Sequence, residues 1–517
     1  MSINGRVFSS KTPSKSKLAL LAMLLMTTVN AEETLDDILD GFDNEPTTQT
    51  VKKRPSTTKK DTLSASNTKH ENKEKIEDDI MDGFDDEPVA KSDKAKENVK
   101  KNDATDELMD GFDDEPINSA KDKDDKFVGV LGDFTGKVTE QVAFAPNDDS
   151  PHDNISSLKT SLLLDYEHKF DNGFKFKTNA KAYYDAIYDI RGTEKYSNDE
   201  LDELKSEVEL FDAYVEGSLA DNLDMKLGRQ VVVWGRSDTI RITDVLNPLD
   251  NRRPAMVDIE DLRLPVGMAK FDYFVGDWRI TPIAVVEQRF SKNPPAGGAF
   301  NASPNSLPSN ESYSDITPAL SIGAEFSGWD VNFYASNLHN DTGYFKNGKL
   351  NHDKVKMFGT ALNVLSGSWL LKGELAHFDG LKYTPTQDKT FKRTDGLVGL
   401  EYNGIADTRI SYDVSLRKVH DYDQALKNNP LPVEENTYQQ AFRVSSDFVN
   451  ATVHGNYLIS LFGKSLDEGG FQRAWVKYDI ADGIFANVGY VDYIGGSKRF
   501  DAVKNNDMAF VDVSYSF

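Results

Sequence analysis

The chain of 517 residues contains no cysteine. Disulfides, thiolate metal sites and cysteine nucleophiles are therefore excluded. Long apolar runs are also missing. Beyond the N-terminal segment no stretch approaches the roughly 18 apolar residues of a bilayer-crossing helix, so transmembrane helices are not expected. Positive charge is in short supply: 60 Lys and Arg stand against 85 Asp and Glu, a formal net charge of -25. That balance argues against nucleic acid, whose phosphates would be repelled. The eight histidines are scattered: His70, His152, His168, His339, His352, His377, His420 and His454. None sits in a Gly-x-Ser-x-Gly or His-Glu-x-x-His motif, and the acidic residues show no EF-hand spacing. No enzyme chemistry, metal site or cofactor is expected.

The N-terminus has a basic stretch (Arg6, Lys11, Lys15, Lys17), a short apolar run over 18–26, and small residues at Val29-Asn30-Ala31. This is a signal-peptide layout, with cleavage expected after Ala31. Residues 32–126 hold 29 acidic and 16 basic residues, a net of -13. Such a segment cannot bury enough apolar surface to offset its ordering entropy, so it is expected to be disordered.

Within it one phrase occurs three times, at 36–46, 78–88 and 106–116, each copy ending in Asp-Gly-Phe-Asp-(Asp/Asn)-Glu-Pro. Leu35, Ile38, Leu39 and Phe42 fall on one helical face; Ile80, Met81 and Phe84, then Leu108, Met109 and Phe112, repeat the pattern. Thr34 and Thr105 can cap such helices, and the Pro after each Glu discourages continuation. Helices this short are unstable alone. The repeats are therefore expected to dock on a partner, with Phe42, Phe84 and Phe112 as anchors and avidity from linkage. The plainer alternative is an acidic spacer grown by duplication.

From about residue 130 the pattern changes to period two. Phe174, Phe176, Thr178 and Ala180 alternate with lysines and Asn179; Leu223, Met225 and Leu227 alternate with Asp224, Lys226 and Gly228. Ala474, Val476, Tyr478 and Ile480 do the same, as do Ala509, Val511, Val513, Tyr515 and Phe517. One apolar face at period two marks a strand. Tight turns are expected near 171–173, 221–222, 275–277, 327–328, 366–368, 403–404, 449–450 and 482–483. Longer polar loops are expected at 146–156, 189–205, 235–265, 291–314, 339–353, 380–393, 420–437, 463–469 and 495–506. Strict alternation of short and long connections is the layout of a transmembrane antiparallel β-barrel in a bacterial outer membrane. The count gives 18 strands, with 16 or 14 as alternatives. An even number puts both ends at the periplasmic rim, with the acidic tail in the periplasm. The final Phe517 fits the terminal aromatic of proteins inserted by the outer-membrane assembly machinery.

One stretch breaks the pattern: Gly228-Arg229-Gln230-Val231-Val232-Val233-Trp234-Gly235, then Asp244-Val245-Leu246-Asn247-Pro248-Leu249-Asp250 and Leu264-Pro265-Val266. These motifs resemble an uncharacterised family of proteobacterial outer-membrane proteins known only as a domain of unknown function. The resemblance covers roughly 130–517, with its specific motifs in 228–267. It implies a link to RND-type transporters and to envelope export or lipid trafficking. Read from the residues alone, 235–265 is too long and too charged for a plain hairpin. Arg229, Trp234, Arg236, Arg241, Asp244, Asn247, Pro248, Asp250, Arg252 and Arg253 form a set that can fold into the lumen as a constriction or gate. The alternative is an ordered extracellular loop held by surface ion pairs. The resulting expectation is a non-enzymatic conduit in a Gram-negative outer membrane. It would be embedded in lipid and would recruit a periplasmic or inner-membrane transporter through its tail. A general diffusion porin and an adhesin-like barrel are the alternatives.

Overall fold

The computed structural model describes residues 133–517 apart from 147–153, 304, 310–312 and 429–431. The signal-peptide, tail and repeat expectations fall outside the described residues.

Strands form wherever apolar and polar residues alternate. β1 (Asp133–Ala145), β2 (Asn154–Lys169), β3 (Lys175–Asp185), β4 (Ser206–Ala220) and β5 (Leu223–Gln230) come first. β6 (Val266–Val275), β7 (Trp278–Val285), β8 (Thr317–Phe326) and β9 (Trp329–His339) follow. A small hairpin, β10 (Tyr344–Lys346) and β11 (Lys349–Asn351), rides on the next long loop. The wall resumes with β12 (Lys354–Ser366), β13 (Trp369–Leu381), β14 (Phe391–Ile405), β15 (Thr408–Val419) and β16 (Asn436–Phe448). β17 (Val453–Phe462), β18 (Gly470–Ala481), β19 (Ile484–Ile494) and β20 (Met508–Ser516) complete it.

Eighteen of these strands make one closed antiparallel sheet, as expected from the sequence. Each pairs with its sequence neighbours, β9 with β12 across the hairpin, and β1 with β20. Closure leaves no unpaired edge. At the seam Gly136 and Phe517 exchange backbone hydrogen bonds of 2.8 and 2.9 Å. The Phe517 ring also lies where a Gly136 side chain would be, since an added Cβ would sit 2.4 Å from it.

Short and long connections alternate around the ring, and both ends of the barrel lie at the short-turn rim. One turn differs from expectation. β14 does not stop at Asn403-Gly404 but bulges there and runs on to Ile405, and the reversal is at Ala406-Asp407. Asp407 takes the left-handed conformation (φ 54°) that a tight hairpin demands.

The outer face is apolar. Val398 is 62% exposed, with Leu400, Val414, Val488, Val511 and Val513 also open. At the short-turn rim this face carries aromatics in contact: Phe326 on Trp329 at 4.3 Å, Trp369 on Tyr402 at 4.4 Å, and Trp278 by Phe326 at 6.4 Å. An apolar band edged by an aromatic girdle is what a barrel surface in a bilayer presents. Among the described residues no helix is long and apolar enough to cross a membrane.

Candidate functional site: an inward-folded segment across the lumen

The wall's inward positions hold the charges. Asp330, Lys372, Glu374, Asp395, Glu401, Asp413 and Arg473 are all buried. In an empty water-filled lumen such groups would be wetted. Here Asp395 is held by Arg393 and Arg417 of the wall itself, and the others meet the chain between β5 and β6 directly or, for Glu401, through Lys372.

β5 has only eight residues, so this segment leaves the wall at Val231 rather than Gly235. Asn247 ties its two ends together. The Asn247 side chain accepts from Val232 N at 2.8 Å and donates to Leu264 O at 2.8 Å. Leu264 N in turn bonds Pro248 O at 2.8 Å. The Asn-Pro of the motif thus forms the neck of the segment.

Below the neck the chain runs down one side of the lumen. Trp234 stacks on Tyr334 of β9, with ring centroids 4.7 Å apart. Gly235 then turns with φ 98°, and a Cβ there would lie 2.8 Å from Glu374 Oε2. Only glycine fits both the conformation and the approach. The Glu374 carboxylate of β13 accepts four bonds beyond it. Arg236 N (2.7 Å) and Ser237 N (2.9 Å) reach Oε1; Thr243 N (3.2 Å) and Thr243 Oγ1 (2.7 Å) reach Oε2.

Asp413 of β15 accepts from Ser237 Oγ and Thr239 Oγ1, both at 2.6 Å. Lys372 joins Asp238 (3.3 Å) to Glu401 (2.8 Å). The Arg236 guanidinium pairs with Asp330, the second residue of β9. The segment therefore reaches almost to the short-turn rim. Ile240, Ile242 and Leu246 pack with Val285, Leu338, Met357, Ala376 and Phe378 in one apolar cluster inside the barrel.

The return leg fastens to the opposite wall. Arg241 Nε and Arg263 Nε both donate to Asp244 Oδ2 (3.1 and 2.9 Å), which holds the turn internally. Asp250 receives the fork of Arg252 at 2.9 and 2.6 Å, and Arg252 also pairs with Glu207 of β4 at 2.7 Å. Desolvation pushes the Asp250 carboxyl up, but the Arg252 fork outweighs it and holds the group below the usual carboxylate range. Arg253 pairs with the fully buried Asp185 of β3 at 2.9 Å. Asp258 bridges Arg443 of β16 (3.0 Å) and Arg473 of β18 (3.1 Å). Tyr493 of β19 donates to Pro254 O at 2.5 Å. Contacts to strands on both sides of the ring, all at inward positions, place 231–265 within the lumen.

The structure brings together nine of the ten loop residues named from sequence. Arg229 stays on the wall, its guanidinium on Glu287 (3.0 Å) and Glu209 (3.7 Å). The lumen partners Glu374, Asp413, Lys372, Asp330, Arg443 and Arg473 were not foreseen. Their inward register was legible from alternation, but nothing local announces a partner more than 90 residues away. The apolar docking of Ile240 and Ile242 was missed because a lumen is expected to be polar. Inward Val355, Met357 and Phe378 break that rule.

Other long loops close over the mouth. Ser197 Oγ donates to Ala296 O at 2.6 Å, joining the β3–β4 and β7–β8 loops. Phe300 of the latter packs on Tyr493 at 5.1 Å. Beneath them Glu200, 2% exposed, accepts from the Tyr188 hydroxyl at 3.2 Å. Burial pushes the Glu200 carboxyl up to about 7, against the pull of Tyr188 and Arg253. The folded state therefore holds this proton more tightly than the unfolded chain. Its contribution is full below the ordinary value of 4.5 and is lost as pH rises through about 7. Glu200→Gln is expected to melt with the wild type at acidic pH and above it at alkaline pH. Thermal melts across that range check this, and parallel curves would disprove it.

Comparison with solved structures finds distant barrels. OccAB3 of Acinetobacter baumannii is 9% identical, with 74% of this chain and 98% of that chain covered and a TM-score of 0.47. The outer membrane protein OpdK from Pseudomonas aeruginosa is 9% identical over 74% and 99%, with a TM-score of 0.45. OccK8 (OprE) of the same organism is 10% identical over 74% and 98%, also at 0.45. Comparison with curated proteins gives no sequence match. The family model described as "Protein of unknown function (DUF1302)" matches residues 15–517, which extends the likeness from the barrel through the repeated tail; the chain belongs to that family.

Proposed function

We propose that this protein is a non-enzymatic outer-membrane barrel that works as a gated conduit for envelope export or lipid trafficking. The observation that carries the reading is the two-sided docking of 231–265. A segment bonded to β9, β13 and β15 on one side and to β3, β4, β16 and β18 on the other crosses the lumen from wall to wall, which supports a barrier rather than an open pore. The apolar outer band and aromatic girdle support a membrane setting. In such barrels short turns face the periplasm and long loops the exterior. The tail would then start from the periplasmic rim, where its repeats can recruit an RND-type transporter or another periplasm-spanning partner.

In planar bilayers the wild type is expected to show little constitutive conductance. A large, always-open conductance would instead make it a general diffusion porin. The tail is tested separately. Segment 32–126 immobilised on beads is expected to retain a specific envelope protein that the Phe42/Phe84/Phe112→Ala version loses, a loss of at least several-fold from three missing anchors. Equal retention by both would end the recruitment idea and leave the tail as a spacer.

A further inference from the structure

The outer surface near the long-loop rim is uneven in charge. Alternation sorts successive side chains to opposite faces of each strand. Lys354 and Lys356 of β12, Lys392 of β14 and Lys418 of β15 share the outer face with Phe358, Val398 and Leu416, and all four lysines are exposed. Among the described residues, the outward positions of the other wall strands at this rim carry no Lys or Arg except Arg229, which is turned to Glu287.

The register makes the group compact. Lys356 lies opposite Asp379, Asp379 opposite Lys392, and Lys418 opposite Thr394, two residues along from Lys392. With strands about 4.8 Å apart, the ammonium groups span roughly 10–15 Å. The counter-charges do not cancel them. Lys392 meets Asp379 at 3.5 Å and Lys354 meets Asp315 at 3.2 Å, both in exposed pairs of little strength. Lys356 and Lys418 make no ion pair among the described residues. His377 and His420 sit between them, both on Thr394 Oγ1 at 2.9 and 2.8 Å.

We propose that the outer face of β12–β15 binds the phosphates of a phosphorylated glycolipid in the surrounding outer leaflet. The inference rests on the outer-membrane reading, with long loops outward. Its position singles out a lipid. The lysines begin where the apolar band of Phe358, Leu375 and Leu416 ends, so acyl chains can lie on the band while phosphates meet the ammonium groups. A soluble anion would have no use for the band.

The test uses the full chain in a neutral maltoside detergent, with bound lipid counted by native mass spectrometry. The probes are diphosphoryl lipid A, monophosphoryl lipid A, phosphatidylcholine and inorganic phosphate. The diphosphoryl form is expected to bind best, and K356Q/K392Q/K418Q is expected to weaken it by on the order of tenfold or more, leaving phosphatidylcholine unchanged. Equal lipid A binding by wild type and variant would overturn the proposal. So would retention of inorganic phosphate with no preference for the lipid. Heat-dependent gel mobility and bilayer insertion of the same proteins report on the barrel reading. An inserted barrel without lipid preference sinks this proposal alone.

Discussion

Replacing residues 236–262 by a short Gly-Ser linker is expected to raise single-channel conductance in planar bilayers several-fold, into the range of an open large-barrel channel. A ring of this many strands encloses an aqueous channel when nothing fills it. The strand pairing that makes the wall does not involve the segment: β5 meets β6 over Leu223–Gln230, and β6 meets β7 beyond it. The barrel should therefore survive the replacement. Lys372 keeps Glu401, and the Glu374 and Asp413 carboxylates pass from a dry contact into lumen water, where a charge is hydrated. Heat-modifiable gel mobility confirms the closed wall. Unchanged conductance in a correctly folded variant would show that the segment is not the barrier.

A point change at the base of the segment is expected to act differently. Glu374→Ala removes the one carboxylate that accepts from Arg236 N, Ser237 N and Thr243 N, plus the Thr243 hydroxyl. Each buried donor left without an acceptor costs about 1–3 kcal/mol. Three such amides are enough to unlatch the downward leg while Asn247 still closes the neck. The current should flicker between a low and a high level, with the open-to-closed ratio raised by about two orders of magnitude, the equivalent of the roughly 3 kcal/mol lost. Strand pairing is untouched, so the main thermal transition should move little. Glu374→Gln keeps an acceptor for two donors but turns its amide toward Thr243, so an intermediate open probability is expected. A steady closed trace for Glu374→Ala would remove Glu374 from the latch.

The wall was legible because its signal is repeated. Alternating runs separated by short and long connections point to the barrel topology and favour 18 strands over 16 or 14 even when single runs are ambiguous. The hairpin at Asn403-Gly404 misled because Asn-Gly is a strong turn pair, yet here it forms a bulge and Asp407 makes the reversal. The inward course of 231–265 could be argued from its mixed Arg and acid content and its length. Its depth could not, because Asp330, Glu374 and Asp413 lie far along the chain and look like ordinary lumen charges. The Gly235 conformation explains a motif glycine that the sequence alone could only mark as present.

The seam has a consequence in time. β1 and β20 are the first and last strands of the ring, yet eight residue pairs join them, from Lys137–Ser516 to Phe144–Ala509. That contact spans almost the whole barrel sequence, so its loop-closure entropy is the largest of any strand pair in the wall. The sheet can zip from neighbour to neighbour, but it stays an open ribbon with two sticky edges until the final strand arrives. Assembly is thus all-or-nothing at its last step. Removing β20 altogether would take away all eight pairs and leave β1 and β19 as open edges able to pair with another copy of the chain.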